Sequence, residues 1–215
     1  MTLTITATLF SILGAIAIGA MSPGPSFILV SRLSVSRSRL HGLAAAIGMG
    51  LGGALFATLA LAGLTALLQQ VAWLYLTLKV LGGIYLVYLG IRIWQGARLP
   101  VADVGTGTYD GRSALSCLAI AFATQISNPK TAVVYASIFA ALMPASPPAA
   151  ALLILPPAIF VIEAGWYAIV ALAFSARRSQ AVYLRFKLWV DRAAGVVMGG
   201  LGVRLISESL SSAKN

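Results

Sequence analysis

Two short proline-containing segments lie inside apolar stretches of the chain. Their residues are Ser22, Pro23, Gly24 and Pro25 in the first segment, and Asn128, Pro129 and Lys130 in the second. Proline lacks an amide N–H, and its ring clashes with the carbonyl four residues before it, so each segment should interrupt a helix. Carbonyl and amide groups freed in an apolar environment are costly unless they contact protein, water or a ligand. The segments therefore predict a binding cavity; the alternative is a kink that only shapes the fold.

The polar groups at these breaks suit a solute that carries both a carboxylate and an ammonium group. The half-helix that begins near Ser26 would direct its positive end at the first break, where it stabilises a carboxylate. Freed carbonyl oxygens near Gly19 and Met21 can accept hydrogen bonds from an ammonium group. Lys130 can neutralise a carboxylate or pair with an acid across the bundle, with Asn128 as a hydrogen-bonding partner. We therefore expect both breaks to bind substrate.

Four ionisable side chains lie within the apolar stretches, namely Lys79, Lys130, Glu163 and Asp191. An ionised side chain at the centre of a bilayer costs about 2.5–3.5 kcal/mol on insertion scales, so it normally faces a partner or water. Glu163 is the candidate for proton coupling, because a carboxyl group in a cleft of low dielectric can exchange protons with a cationic group. Glu163 can equally bind the substrate ammonium, or form a structural ion pair with Lys79 or Lys130 that sets the helix register.

Two further side chains are interpreted from their sequence neighbours. Trp166 follows Glu163 by three residues and is expected to line the cleft. Asp191 directly precedes Arg192 and should lie near the cytoplasmic surface, where both side chains reach headgroups or each other. Asp191 is grouped with Glu163 and Lys79 as a residue of proton coupling or ion pairing, and the surface role is favoured.

The elements that must position these residues follow from composition. Hydrophobic residues make up 60% and charged residues 9% of the 215 residues, and the mean hydropathy is +0.94. These values indicate an integral membrane protein rather than a soluble domain. A helix that crosses the ~30 Å hydrocarbon core needs about 20 apolar residues. We predict an all-α, single transmembrane domain of six helices, with helices 1 and 4 broken, near residues 5–31, 42–68, 72–94, 113–142, 149–174 and 188–207.

The basic residues predict the orientation of this bundle. The formal net charge is +10, and most of the 15 Lys and Arg residues lie after spans one, three and five. They are Arg32, Arg37, Arg39, Arg92, Arg98, Arg112, Arg177, Arg178, Arg185 and Lys187, with Arg204 and Lys214 as exceptions. By the positive-inside rule these loops are cytoplasmic, which places both termini on the periplasmic or outer side. Because the basic residues do not form one patch, nucleic-acid binding is disfavoured.

The two halves of the chain resemble each other. Gly83 and the Leu89–Arg92 segment of span three match Gly195 and the Leu201–Arg204 segment of span six with the same spacing. The two proline segments occupy corresponding places in spans one and four. With three spans in each half, the second copy enters the membrane from the opposite side, which predicts the inverted 3+3 repeat of many secondary transporters. Repeat A covers about residues 1–98, a cytoplasmic loop residues 95–113 and repeat B residues 113–210.

Few residues in this chain suit enzyme chemistry. Cys117 is the only cysteine and His41 the only histidine, so the sequence has neither a thiol redox pair nor a His-Glu-x-x-His zinc motif, and it has no Walker-type glycine loop. We expect a transporter with no catalytic residues, metal site or cofactor. The alternative function is export of an inorganic cation or other small solute on the same scaffold, with Glu163 and Asp191 as oxygen ligands, although few soft ligands are available.

Several motifs are shared with a known family. They are the segment from Met21 to Pro25 in span one, the glycine-rich stretch from Gly42 to Gly53 in span two, Lys79 with Leu89 and Gly90 in span three, and the segment from Asn128 to Lys130 in span four. With these motifs the chain resembles the LysE/RhtB family of amino-acid exporters (LysE family translocators) over nearly its whole length.

The resemblance implies a multi-pass protein of the bacterial inner (cell) membrane with a pseudo-twofold axis. It also implies secondary-active export of amino acids or related small metabolites by proton antiport, with alternating access at a midplane site. The expected partners are a small amino-acid-like substrate, protons and the lipid bilayer. The sequence is compatible with a single bundle and with a homo-oligomer, and the resemblance does not assign the solute.

Overall fold

The computed structural model describes residues 2–22, 24–68, 72–98, 113–144, 147–175 and 177–212. Eight helices and no strands form this part of the chain. In chain order they are α1 (Thr2–Met21), α2 (Pro25–Ser36), α3 (Arg39–Leu68), α4 (Ala72–Gly96), α5 (Ala114–Ile126), α6 (Pro129–Leu142), α7 (Ala149–Phe174) and α8 (Arg177–Ser212). The all-α fold class predicted from composition is confirmed for these residues. Most of the predicted loop at residues 95–113 lies outside them.

Within the described ranges, two helices are long and apolar enough to cross a membrane, Arg39–Gly63 in α3 and Ala149–Phe174 in α7. The bent pair of α1 and α2 qualifies as a third span if it is counted as one, and α5 and α6 are shorter apolar helices. Large apolar side chains cover the outer face of α7, where Leu153 is 77% and Val161 65% exposed. An exposed apolar band of this kind is suited to contact with lipid.

Each proline segment ends one helix and begins another. Gly24 precedes α2 with an extended backbone (φ −161°, ψ −169°), and Pro25 is the first residue of the new helix. The axes of α1 and α2 meet at 58°. Asn128 caps the start of α6, and Pro129 is its first residue. Proline suits this position because an amide of the first helical turn has no intrahelical partner to lose.

α8 differs from the sequence prediction. The sequence predicts a loop before span six that contains Arg177, Arg178, Arg185 and Lys187, but these residues lie within α8, and the prediction of a loop is wrong. No proline or glycine occurs between Arg177 and Gly195 to end the helix. Its 36 residues extend over roughly 54 Å at ~1.5 Å per residue, which exceeds the ~30 Å hydrocarbon core. The basic turns can therefore lie outside the core without a break.

α4 and α8 cross through pairs of glycines. A Cβ atom on Gly90 would lie 2.6 Å from the Gly195 carbonyl oxygen, and one on Gly195 would lie 2.8 Å from the Gly90 carbonyl oxygen. A Cβ atom on Gly83 would lie 3.0 Å from the Gly202 carbonyl oxygen, and one on Gly202 would lie 2.5 Å from the Gly83 carbonyl oxygen. Because no side chain fits at these distances, the two backbones pack directly, as in membrane helix pairs built on small residues.

The interior consists of two apolar clusters. The first includes Ile12, Ile16, Leu61, Leu86, Tyr135 and Phe139, and the second includes Phe27, Val30, Leu33, Met49, Tyr167 and Phe174. Tyr135 and Tyr167 also line a polar cavity, so this cavity lies where the two clusters meet. The breaks and the middle of α7 are thereby held together by apolar packing on both sides.

Candidate functional site

The polar cavity between the two breaks and α7 has a volume of about 30 Å³. Its polar side chains include Ser26, Gln125, Asn128, Lys130, Tyr135 and Glu163. A larger apolar groove of about 410 Å³ lies between α3, α4 and α6. Among the lining residues that the structure describes, Ser137 is the one polar side chain and none is ionisable. The smaller cavity is therefore the candidate site, because it alone of the two brings charged groups together.

The first break contributes backbone groups and Ser26 to the cavity. Ser22 is buried, and its carbonyl oxygen accepts a hydrogen bond from the Lys130 Nζ atom at 3.1 Å. A Cβ atom on Gly24 would lie 3.5 Å from the same Nζ atom, which is an ordinary van der Waals contact, so Gly24 adjoins the end of the lysine side chain. Pro23, which the sequence assigns to substrate binding, lies outside the described residues. The ammonium group of Lys130 thus reaches from the second break to the first.

The second break is organised by Asn128. Its Oδ1 atom accepts a hydrogen bond from the Lys130 amide at 3.0 Å, which satisfies one of the free amides at the start of α6. Its Nδ2 atom donates to the Ser26 Oγ atom at 3.3 Å, so the residue that caps α6 also contacts the first turn of α2. Pro25 and Pro129 are themselves exposed. The positive ends of α2 and α6 both face the cavity, which favours an anionic group there.

Glu163 lies at the polar end of the cavity and is 3% exposed. The Tyr135 hydroxyl donates to its Oε1 atom at 2.9 Å, and the Gln125 Nε2 atom donates to its Oε2 atom at 2.5 Å. The Ser26 hydroxyl donates to the Gln125 Oε1 atom at 2.7 Å. Gly53 of α3 leaves room for the Glu163 carboxylate, since a Cβ atom on Gly53 would lie 2.7 Å from Glu163 Oε2. Both carboxylate oxygens therefore accept hydrogen bonds from neutral side chains.

The partners of Glu163 differ from the ion pairs considered from the sequence. Lys130 and Glu163 form no ion pair in the part of the chain that the structure describes, because Lys130 contacts the Ser22 carbonyl instead. The backbone of Lys79 belongs to α4, but its side chain lies outside the described residues. Sequence reasoning missed Gln125 and Tyr135. Gln125 could have been noticed as a lone amide in the apolar α5, three residues before Asn128.

The aromatic residue of α7 that lines the cavity is Tyr167, not Trp166. Trp166 is half-buried and packs against the second apolar cluster. Helix geometry explains the difference, because residues four apart differ by about 40° in direction and residues three apart by about 60° on the other side. Tyr167 therefore lies closer in direction to Glu163.

Asp191 occupies a separate buried site. Its Oδ2 atom lies 2.7 Å from the Lys187 Nζ atom, and both side chains are buried. Lys187 also donates to the carbonyl oxygens of Gly96 and Ala97 at 3.3 Å each, so the pair caps the end of α4. Arg192, expected to pair with Asp191 or with headgroups, lies 5.2 Å above the Trp94 ring.

The two acidic groups do not share a site. Glu163 contacts Tyr135 and Gln125, whereas Asp191 contacts Lys187. Among the residues described, no three His, Cys, Asp or Glu side chains are grouped closely enough to hold a metal ion. The chemistry available at the cavity is therefore one carboxylate, one ammonium group, two helix N-termini and several neutral hydrogen-bonding groups.

Comparison with known proteins identifies the family. Residues 17–209 match the model of the LysE type translocators. A threonine efflux protein of Salmonella typhimurium (strain LT2) is 32% identical over 195 residues, which cover 88% of this chain and 92% of that protein. A threonine efflux protein of Escherichia coli (strain K12) is 31% identical over the same shares. A leucine efflux protein of Salmonella choleraesuis is 32% identical over 128 residues, 60% of this chain and 59% of that protein.

No solved structure matches the chain. The family match includes both breaks and every residue that lines the polar cavity except Ile16. It agrees with the resemblance carried by the motifs, which is thereby confirmed. The protein therefore belongs to the LysE type translocator family and is a multi-pass membrane transporter, not an enzyme.

Proposed function

We propose that this protein exports a small neutral amino acid from the cytoplasm by proton antiport, with alternating access at the cavity between the two broken helices. The observation that carries the proposal is the presence of a buried carboxylate, Glu163, and an ammonium group, Lys130, in the lining of one cavity. An amino acid in its zwitterionic form presents the complementary pair of charges. Two relatives are threonine efflux proteins and a third is a leucine efflux protein, which supports neutral amino acids as the substrate class.

The substrate carboxylate is bound at the second break. Lys130 supplies a full positive charge, and the N-termini of α2 and α6 supply partial ones. Asn128 and Ser26 add hydrogen-bond donors at the same end. Because the described lining of the cavity includes one carboxylate, a substrate with a second cationic group would leave that charge unpaired at considerable cost. Neutral side chains are therefore favoured over those of lysine or arginine.

The substrate ammonium and the proton compete for Glu163. An ionised carboxylate attracts the ammonium group, and a protonated one does not, so the two ligands bind in alternation. This alternation is the requirement for exchange of one for the other across the membrane. Glu163 is favoured over Asp191 for this role because Asp191 already has the Lys187 ammonium as its partner.

The cavity as described is too small to hold an amino acid. A volume of about 30 Å³ is close to the share of one water molecule in the liquid, so an amino acid needs the surrounding helices to separate. The breaks are the natural hinges, because the chain there has few helical hydrogen bonds to lose. Movement of α2 and α6 about the breaks would open the cavity to one side of the membrane at a time.

The contacts between α4 and α8 support an inverted repeat. In the proposed alignment Gly195 corresponds to Gly83, and Gly202 corresponds to Gly90. Gly83 packs against Gly202 and Gly90 against Gly195, which is the reciprocal pattern of an interface with twofold symmetry. We therefore propose six spans in two inverted halves, in the bacterial inner membrane, with both termini on the periplasmic side. This mechanism operates within one bundle and does not require two bundles to associate.

Transport assays on the purified chain in proteoliposomes test the proposal. Radiolabelled L-threonine and L-leucine should cross the bilayer, and an opposing proton gradient should accelerate the flux. Glu163→Gln should abolish the acceleration, whereas the double variant Lys187→Met with Asp191→Leu, which removes the other buried carboxylate together with its cation, should retain it. Absence of flux for a panel of neutral amino acids would contradict the proposed substrate class. Flux of divalent cations in place of amino acids would favour the alternative function.

A further inference from the structure

The hydrogen bonds around Glu163 form a chain with a single direction. Asn128 donates to Ser26 at 3.3 Å, Ser26 donates to Gln125 at 2.7 Å, and Gln125 donates to Glu163 at 2.5 Å. Tyr135 donates to the other carboxylate oxygen at 2.9 Å. Every donor is directed towards Glu163, and the chain links α7 to the first turn of α2 through the end of α5. This arrangement matches an ionised carboxylate.

Protonation of Glu163 would change which hydrogen-bonding groups its neighbours must present. One carboxyl oxygen would then carry a proton and require an acceptor, but both present neighbours act as donors. Gln125 can resolve this conflict, because its amide has an acceptor and two donors on one planar group. A half-turn of the amide presents Oε1 to the protonated carboxyl and Nε2 to the Ser26 oxygen. Tyr135 has a single hydroxyl, so accepting from Glu163 would oblige it to donate elsewhere.

The half-turn also changes the contact made by Ser26. Its hydroxyl can no longer donate to Gln125 and must turn to another acceptor. Two other serines of α2 donate to the carbonyl four residues before them, Ser34 to Val30 and Ser36 to Arg32, at 2.7 Å each. For Ser26 the corresponding carbonyl belongs to Ser22, on the far side of the break. Protonation of Glu163 on α7 would therefore create a new contact between Ser26 and the Ser22 carbonyl across the first break.

We propose that Gln125 is a two-position switch that transmits the protonation of Glu163 to Ser26 and so to the break between α1 and α2. The inference rests on the proposed function, in which Glu163 is the proton site. It assigns Gln125 as a positioning residue, since this residue acts on the hinge through Ser26. It also explains how a proton can disfavour the substrate, because protonation removes the carboxylate charge and adds a second contact to the Ser22 carbonyl, which already accepts from Lys130.

Other ionisable groups around Glu163 are few among the described lining residues. α6 contributes Lys130 and Tyr135, and α7 itself contributes Tyr167. The parts of α1, α2 and α5 that line the cavity contribute no ionisable side chain, and α3 contacts Glu163 through Gly53. The experiment must therefore distinguish the effect of Gln125 from the effects of Lys130 and the two tyrosines.

Infrared difference spectroscopy on the full chain in lipid, without any substrate, tests the switch directly. Acidification should produce a protonated carboxyl band that is absent in Glu163→Gln. A side-chain amide band that is absent in Gln125→Met should change at the same pH. A carboxyl band without the amide change would overturn the switch. Absence of any band from Glu163 would overturn the proposed proton site as well, whereas the amino-acid flux assay tests export separately.

Hydrogen exchange of the amides at the break tests the transmission. At one pH, Glu163→Gln imitates the protonated state and should change exchange at Ile28, whose amide donates to Gly24 across the start of α2. In a Gln125→Met background the same substitution should leave the exchange rate of the Ile28 amide unchanged. The double-mutant cycle compares the effect of Glu163→Gln on this rate with and without Gln125, and we expect the two effects to differ by a factor above about five. Ser137→Ala, a buried serine of α6 outside the chain of hydrogen bonds, is the control background and should leave the coupling intact.

Two results would overturn the inference. One is an additive cycle, in which Glu163→Gln has the same effect with and without Gln125. The other is coupling that is lost in Tyr135→Phe and kept in Gln125→Met, since this would make the tyrosine the transmitter. If Gln125→Met does not fold, Ser26→Ala takes its place in the cycle, because it removes only one hydroxyl from the same chain and the same coupling should vanish.

Discussion

Gly53 of α3 provides the sharpest test of the site, because it has no polar side chain of its own. A Cβ atom at this position would lie 2.7 Å from Glu163 Oε2 and 2.8 Å from the Tyr135 hydroxyl oxygen. Carbon and oxygen atoms in close contact are about 3.3–3.6 Å apart, so the two oxygens would have to move by roughly 0.5–0.9 Å. We therefore expect Gly53→Ala to disturb the hydrogen bonds to the carboxylate.

The size of the effect follows from opposing contributions. A hydrogen bond to a charged group contributes about 1.5–3 kcal/mol, and overpacking a tight interior costs about 1–3 kcal/mol. Alanine favours a helix over glycine by about 1 kcal/mol, which offsets part of the loss. The two losses less this gain give a net change of about 1.5–5 kcal/mol, which lowers the population of the productive geometry by about 10- to 4,000-fold at about 1.4 kcal/mol per tenfold. Transport should fall by a factor within this range.

Gly63→Ala is the matched control. Gly63 lies on the same helix, and a Cβ atom there has nothing within 4 Å. The control adds the same methyl group and the same gain in helix propensity, so it should transport like the unmodified chain. L-Threonine efflux from proteoliposomes gives the rate, and size-exclusion chromatography in detergent verifies folding. If folded Gly53→Ala retained the full rate and its proton dependence, the role given to the Glu163 carboxylate would be refuted.

Three further predictions concern other parts of the structure. Lys130→Met should raise the KM for L-threonine by about 10- to 100-fold through loss of a charge-assisted contact, and an unchanged KM would exclude carboxylate binding there. Lys187→Met should destabilise the fold by about 3–5 kcal/mol because the Asp191 carboxylate stays buried without its cation; the double variant with Asp191→Leu should recover stability in thermal unfolding, and no recovery would refute this account. Gly90→Ala should lower the unfolding temperature, because a Cβ atom there would lie 2.6 Å from the Gly195 carbonyl oxygen. Gly96→Ala should not lower it, because a Cβ atom there has no neighbour within 4 Å. Equal unfolding temperatures for the two variants would contradict the close crossing of α4 and α8.

Much of the fold could be predicted from the sequence because lipid leaves few alternatives. Low charge and long apolar stretches require helices, and proline fixes where a helix must end. The positions of both breaks and the family could therefore be predicted from the sequence. The loop before span six was predicted wrongly, because basic residues were interpreted as a loop although no proline or glycine interrupts α8 before Gly195. The Lys187–Asp191 pair has the four-residue spacing of a helical ion pair and could have been found.

The partners of the site residues were harder to predict. Glu163 was matched with lysines because opposite charges are the obvious partners of a buried acid. Its observed partners are the neutral Gln125 and Tyr135, which are far away in sequence and become neighbours only through the packing of α5, α6 and α7. Gly53 gave no chemical signal at all, because its contribution is the absence of a side chain at one contact. Neighbours of this kind depend on helix rotation and crossing, which composition does not encode.

The sequence by itself therefore determined that the chain is helical, apolar enough for a membrane and interrupted at two proline segments, because these properties depend on local backbone chemistry and on transfer from water. The tertiary structure alone decided which groups face one another across those breaks. Lys130 contacts a carbonyl of the first break and Glu163 contacts an amide from α5, because side-chain direction on each helix is set by packing against its neighbours.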